Sequence, residues 1–197
     1  MTRIPIFYYH SIGGEPPQTL SLGLFRSHLE CLRRHGKRVV PVRELLRDPG
    51  PDSVALAFDD GLLDNYINAF PLLQEFGFRA TFYVVPGYDR VTRWVNPRNG
   101  RWSDRPAPGY TAPHPNMEAR HRRELARHGC EIGSHTLTHR NLTGLEPDDL
   151  RREVHDSKRW LEDELGQPVT TFCYPRGRFN LSVLRQVRQA GYLGACC

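Results

Sequence analysis

The sequence predicts an α/β fold, a distorted barrel of seven parallel strands in a single domain covering residues 1–197. Three observations carry this expectation. Five times an amphipathic stretch ends in glycine and runs into a short apolar segment, at Gly36, Gly77, Gly129, Gly166 and Gly191, where glycine reads as a helix C-terminal cap. Helices alternating with strands in this way imply parallel strands joined by helical crossovers, and seven strands suit an irregular barrel better than an open sheet. With 197 residues, 39% of them hydrophobic and 25% charged, the chain has the length and balance of one globular domain.

Taken in order, residues 4–9 read as the first strand, and 24–35 as a helix that ends at Gly36. A short strand at 39–41 and the apolar run 54–58 follow, then a helix over 63–76 and a strand over 80–85. Residues 87–116, rich in Pro, Gly, Arg and aromatics, lack periodicity and exceed the usual connection length. That favours a functional loop, with a disordered insertion as the alternative. A helix at 117–128 and a strand at 131–133 precede a long helix at 147–165, with Pro147 at its first position. Leu150, Val154, Trp160, Leu161 and Leu165 recur on it at helical spacing and form its core face. A strand at 169–174, a helix at 181–190 capped by Asn180, and a strand at 193–196 complete the chain. The chemistry-bearing motifs fall within 52–197, and the N-terminal strand ending at His10 completes the barrel.

Asp59 and Asp60 end the apolar run 54–58 and are followed by Gly61, which permits a sharp backbone turn. Side chains alternate along a strand, so neighbours at its tip can take different tasks. The same tripeptide also fits an ordinary acidic turn or helix start. Downstream, after another strand-like run, His135 and His139 lie four residues apart, a spacing that puts both on one face of a helical turn. Two imidazole nitrogens with one carboxylate suit zinc and leave a coordination position open. His135, His139 and Asp60 form that set, a solvated helix face or a core histidine pair being the alternative. His10, Asp59, Asp60, His135 and Tyr174 each follow an apolar segment, the place where parallel α/β barrels build their sites.

Three ordered motifs, Phe58-Asp59-Asp60-Gly61, Ser134-His135-Thr136-Leu137-Thr138-His139 and Phe172-Cys173-Tyr174-Pro175-Arg176-Gly177, resemble those of polysaccharide deacetylases with the NodB homology domain, carbohydrate esterase family four. The likeness runs from about residue 4 to residue 195 and implies the same distorted (β/α)7 barrel. It implies Asp59 as general base and a divalent cation on Asp60, His135 and His139, with Zn2+ the first choice and Co2+ or Ni2+ as alternatives. Water activated at that cation attacks the carbonyl of an N-acetyl group, and the backbone N–H of Arg176 stabilises the oxyanion. Independently, a divalent ion lowers the pKa of bound water to about 7 and polarises a carbonyl, and a positioned carboxylate accepts the proton. Nothing after Tyr174 is a histidine, so the general acid of the commoner C-terminal motif is missing. The segment from Ile4 to Ser11, with Tyr9-His10 at its end, resembles the circularly permuted poly-N-acetylglucosamine deacetylase branch and makes His10 the general acid. Cys173 stands where the commoner pattern has a base-orienting arginine; Arg176 or Arg178 either supplies that charge or belongs to a solvated loop. Tyr174 and Pro175 belong to the substrate side, and Trp94 and Trp102 flank a loop that stands in for the missing tryptophan motif.

The implied substrate is an N-acetylated sugar of a glycan or glycoconjugate. A non-sugar amide would meet the same catalytic set, and a catalytically inactive carbohydrate-binding protein is the alternative from another class. A net charge of +5 concerns association rather than chemistry. The arginines are spread over every predicted helix and no recognition motif accompanies them, so nucleic acid is not expected as a partner. No apolar stretch approaches the roughly 20 residues of a membrane span, and the oligomeric state is not legible. The opening Met1-Thr2-Arg3 runs straight into a strand without a leader-like segment, which reads as cytoplasmic. The five cysteines lack zinc-ribbon spacing and read as thiols, and the closing Cys196-Cys197 reads as a chain cut just after a strand.

Overall fold

The computed structural model describes residues 5–14, 19–89, 92–95, 102–103 and 112–197. All seven expected strands form: β1 (Ile6–Tyr9), β2 (Arg38–Val39), β3 (Ser53–Phe58), β4 (Thr81–Val84), β5 (Glu131–Ser134), β6 (Thr171–Cys173) and β7 (Gly194–Cys196). They make one parallel sheet in the order β1-β3-β4-β5-β6-β7, with β2 paired to the start of β3. The ends of this order curl toward each other, because Ile6 and Tyr8 of β1 line the same cavity as Ala195 and Cys196 of β7. The distorted barrel is thus a curled sheet with a seam between β1 and β7 among the described residues.

Helices α1 (Leu22–Arg34), α2 (Val42–Leu45), α3 (Phe70–Phe76), α4 (Ala119–Arg127), α5 (Pro147–Arg151), α6 (Ser157–Leu165) and α7 (Leu181–Gln189) connect the strands. The glycines at the five expected stops, Gly36, Gly77, Gly129, Gly166 and Gly191, all have positive φ, as a left-handed cap requires. Starts differ where capping side chains decide. Ser21 accepts from the Leu24 N–H at 3.3 Å, so α1 begins before residue 24. Glu118 and His121 form a reciprocal box at the head of α4, while the Met117 N–H is drawn to Gly61 O at 2.9 Å. Two predicted helices contain a π turn: 63–76 enters through Asn65–Ala69, and 147–165 is α5 and α6 joined by Arg152–Asp156. Asn180 caps α7, accepting from Val183 N–H at 3.0 Å.

Strand periodicity sorts the two faces of the sheet. In β3, Val54, Leu56 and Phe58 face the main core with helix residues Phe25, Leu73 and Leu161, whereas Ala55 and Ala57 face the barrel interior. In β4, Phe82 and Val84 point to the helices and Tyr83 points inward. Phe58 stacks on Phe82 with centroids 4.9 Å apart and meets Phe25 edge-on at 5.8 Å. Each such fully buried ring contributes about 1.5–3 kcal/mol of transfer free energy. Inside the barrel, at the N-terminal ends of the strands, buried Glu131 accepts from Thr81 Oγ1 at 2.8 Å, Thr171 Oγ1 at 2.7 Å and Arg43 N–H at 2.9 Å. That satisfied network plugs one end of the barrel, so the other end is left for chemistry.

Within the aperiodic segment 87–116, three short antiparallel strands form at Thr92–Val95, Trp102–Ser103 and Ala112–Pro115. All five cysteines are free thiols. No helix among the described residues is long and apolar enough to cross a membrane.

Candidate active site

Register fixes where each motif residue emerges. Strands β1, β3, β5 and β6 end one residue before His10, Asp59, His135 and Tyr174 respectively, and their pairing brings these tips to one rim. A cavity of about 1190 Å³ opens there, lined by His10, Asp59, Asp60, His135, His139, Tyr174 and Arg176. Pro175, buried in the turn Pro175–Gly177, is not among the described residues lining it. The side chains of Trp94 and Trp102 lie outside the described part of the chain.

Alternation accounts for Asp59, which continues the inward-facing set Ala55 and Ala57, but would turn Asp60 outward. The backbone at Asp60 has φ 70°, and so reverses locally. Non-glycine residues at positive φ are uncommon and concentrate at functional sites. Here they are Asp60, Thr136, His139 (φ 59°) and Arg176 (φ 58°) among the described residues. His135 and His139 therefore do not meet on a helical turn, as their spacing suggested. They meet in an irregular loop folded by left-handed steps at Thr136 and His139, with the His139 N–H bonded to Thr136 Oγ1 at 2.9 Å. The imidazole centroids are 4.8 Å apart.

Asp60 Oδ1 lies 3.4 Å from His139 Nε2 and 3.9 Å from His135 Nε2, and one donor atom from each residue falls within 4.8 Å of the others. The residues present fit a cation. Asp60 Oδ1 is buried without a hydrogen-bond partner, a condition a cation would relieve. His135 Nδ1 lies 2.8 Å from Cys173 O, so it carries the proton and leaves the Nε2 lone pair to face the site. Burial pushes His139 down to about 4, opposed by the Asp60 carboxylate and helped by His135, Arg93 and Arg176, so its imidazole is neutral at pH 7. Burial by itself would raise the Asp60 carboxyl, but the Arg93 guanidinium, then His139 and His135, hold it well below the usual carboxylate range. Asp59, His135 and Cys173 also cluster within 4.8 Å. Burial and the Asp59 charge push the Cys173 thiol far up, and a thiol is a poor ligand beside a thiolate, so the first set is the better cation site.

Asp59 is nearly buried, and burial raises its carboxyl, partly opposed by His135 and His10. Its Oδ2 lies 3.7 Å from Cys173 Sγ, and its Oδ1 has no hydrogen-bond partner. The expected arginine charge from Arg176 or Arg178 does not pair with it; a neutral thiol takes that place. Two further residues shape the site. Arg93, from the first strand of the insert, pairs with Asp60 Oδ2 at 2.9 Å, both side chains being about 95% buried, and lies over the Tyr88 ring at 4.6 Å. Buried Glu153 accepts from Thr138 N–H at 2.8 Å and from Thr138 Oγ1, bracing the loop between the two histidines. Neither Arg93 nor Glu153 carries a motif or period that singles it out in the sequence.

Fold and site define an α/β protein whose polar cluster, suited to a divalent cation, sits at the carboxyl ends of curled parallel strands. The chain belongs to the polysaccharide deacetylase family, whose model matches residues 47–195. It is 29% identical to YxkH of Bacillus subtilis (strain 168), a protein named after the polysaccharide deacetylases, across 96% of this chain and 62% of YxkH. The chain thus spans about 62% of the length of that relative. Among solved structures, the deacetylase PplD of Streptococcus pyogenes in complex with acetate is 26% identical with a TM-score of 0.79, over 96% of this chain and 81% of PplD. IcaB from Ammonifex degensii shares the fold at 21% identity and a TM-score of 0.78, over 96% of this chain and 81% of IcaB.

Proposed function

We propose that the chain is a metal-dependent N-deacetylase that releases acetate from an N-acetylated sugar of a glycan or glycoconjugate. The observation that carries this reading is the convergence of Asp60, His135 and His139 on one point, with Asp59 beside them in the same cavity. Family membership supports deacetylation, and the likeness to a deacetylase solved with acetate supports acetate as product. The cavity of about 1190 Å³ exceeds the usual range for a small-molecule site, in keeping with a sugar longer than one ring.

Asp60, His135 and His139 would hold the cation, Zn2+ fitting the N,N,O donor set. When bound, a divalent cation acidifies water and polarises a carbonyl oxygen. Asp59 accepts the proton of the attacking water through a carboxylate oxygen. The left-handed turn at Arg176 presents a main-chain N–H to the oxyanion, a donor whose loss costs about 3 kcal/mol in a comparable setting. His10, on the β1 side of the cavity, gives a proton to the leaving nitrogen. The C–N bond breaks, the C–O bond forms, and the products are acetate and a free amine. Tyr174 lines the same cavity.

The test is acetate release from N-acetylglucosamine oligomers and from non-sugar amides, with Zn2+-loaded and chelated protein. Activity on the oligomers that chelation removes and Zn2+ restores is expected. Asp59→Asn should retain metal while losing turnover, His135→Ala should lose both, and His10→Ala should lower kcat more than it raises KM. Equal metal content and activity in the Asp59 and His135 variants would overturn the assignment.

A further inference from the structure

Arg93 reaches the candidate metal centre from outside every motif. Its guanidinium pairs with Asp60 Oδ2 at 2.9 Å, while the histidine nitrogens face the other oxygen, Oδ1, at 3.4 and 3.9 Å. The carboxylate is thereby shared, one oxygen for the arginine and one turned toward the imidazoles. We propose that Arg93 is a positioning residue for the metal centre, fixing the Asp60 carboxylate by the oxygen that the cation does not use. The proposal rests on the reading of Asp60 as a metal ligand.

Placement of Arg93 is itself over-determined. Its guanidinium lies over the Tyr88 ring at 4.6 Å, and the Tyr88 hydroxyl donates to Thr138 O at 3.4 Å. One residue earlier, the Gly87 N–H donates to Leu137 O at 2.7 Å. A Cβ at Gly87 would stand 2.5 Å from that same oxygen, so this approach of two backbones needs glycine. A continuous path therefore runs from the loop between His135 and His139, through Tyr88 and Arg93, to Asp60. It ties the base of the insert to both halves of the ligand set, which come from β3 and β5.

A second cation beside a metal ligand has two opposed effects. It repels the incoming ion, and it holds the ligand in the bound orientation. The geometry favours the second, because the arginine and the imidazoles address different oxygens of one carboxylate, both side chains are buried, and neither must move for the other to bind. Outer partners of this kind typically change metal affinity by about 10- to 100-fold when removed. Arginine is also the suitable cation here, since its charge persists and its guanidinium is more weakly hydrated than an ammonium, which suits a buried ion pair.

The experiment is calorimetric titration of Zn2+ into chelator-stripped protein, with Co2+ absorption spectra as a report on ligand geometry and thermal melts as a check on folding. Arg93→Ala should raise the Kd for Zn2+ by about 10- to 100-fold and alter the Co2+ bands, and Arg93→Lys should restore part of the affinity. Should Arg93→Ala not fold, Arg93→Gln is held to the same criterion. A folded variant that binds Zn2+ as tightly as the parent, or more tightly, overturns the proposal. Asp60→Asn separates the two levels. If the parent binds no stoichiometric Zn2+, or Asp60→Asn binds it unchanged, the metal-centre reading fails and the role of Arg93 with it; if only the Arg93 variants are parent-like, the metal centre stands and the positioning role falls.

Discussion

Replacing Glu153 with alanine tests whether the histidine loop is held from outside the motifs. In the native fold its carboxylate receives the Thr138 N–H at 2.8 Å and the Thr138 hydroxyl, while its main-chain oxygen accepts from Leu137 N–H at 3.0 Å, a bond the substitution leaves intact. Two hydrogen bonds to a charged acceptor, at about 1.5–3 kcal/mol each, set an upper bound of about 3–6 kcal/mol. Two features reduce it. Thr138 is exposed, so water replaces part of what is lost, and removing a buried carboxylate also removes its desolvation penalty. A loss of about 2–3 kcal/mol is expected, with Glu153→Gln roughly halfway, since an amide oxygen keeps one acceptor but loses the charge. Urea unfolding of the metal-free protein reads the stability, and Zn2+ titration reads the loop. Because Thr138 sits between the two histidines, affinity for Zn2+ should fall along with stability. If Glu153→Ala keeps the parent urea midpoint and Zn2+ affinity, the bracing role is refuted.

Two other outcomes can be checked directly. A Cβ at Gly133 would stand 2.5 Å from two carbons of the Tyr83 ring and 3.0 Å from Thr171 Oγ1, so Gly133→Ala should destabilise by about 1–3 kcal/mol through overpacking; an unchanged urea midpoint would contradict the packing of the barrel interior. The pH dependence follows from His139, whose folded-state value lies at about 4, below its ordinary 6.5. The unfolded chain takes up a proton that the fold refuses, so His139 makes the metal-free protein less stable as pH falls from 6.5 toward about 4, by at most about 3 kcal/mol. Asp59, raised by burial, acts with the opposite sign above its ordinary value, so the measurement is a comparison: His139→Asn should flatten the acid slope, and an identical slope would refute the assignment.

Strands and their order of appearance were legible because apolar runs and glycine caps are local signals. Phe58, Phe82 and Phe172 announce buried strands, and Gly77 or Gly166 can be placed without knowing what packs nearby. The candidate ligand residues were legible because acidic and imidazole pairs at strand tips carry few other meanings together. Their conformation was not. The spacing of His135 and His139 is compatible with a helical turn, and only the φ values of Thr136 and His139 show that a kinked loop brings them together. Arg93 and Glu153 escaped for a different reason. Their roles depend on partners 33 and 15 positions away in sequence, Asp60 and Thr138, and arginine is so common in this chain that one more carries no signal. The π turns at Asn65–Ala69 and Arg152–Asp156 were equally silent, because residue type hardly distinguishes them from the helix around them.

The seam between β1 and β7 divides the site by rigidity. Asp59, Asp60 and His135 emerge from β3 and β5, strands paired on both sides, whereas His10 follows β1, which among the described residues pairs only with β3. Amide exchange should accordingly slow from the seam toward β4 and β5. A fluctuation that unzips β1 displaces the group proposed to protonate the leaving nitrogen without loosening those proposed to hold the ion. Under the proposed function, a bulky sugar would enter and leave on the yielding flank while the opposite flank stays set for the next turnover.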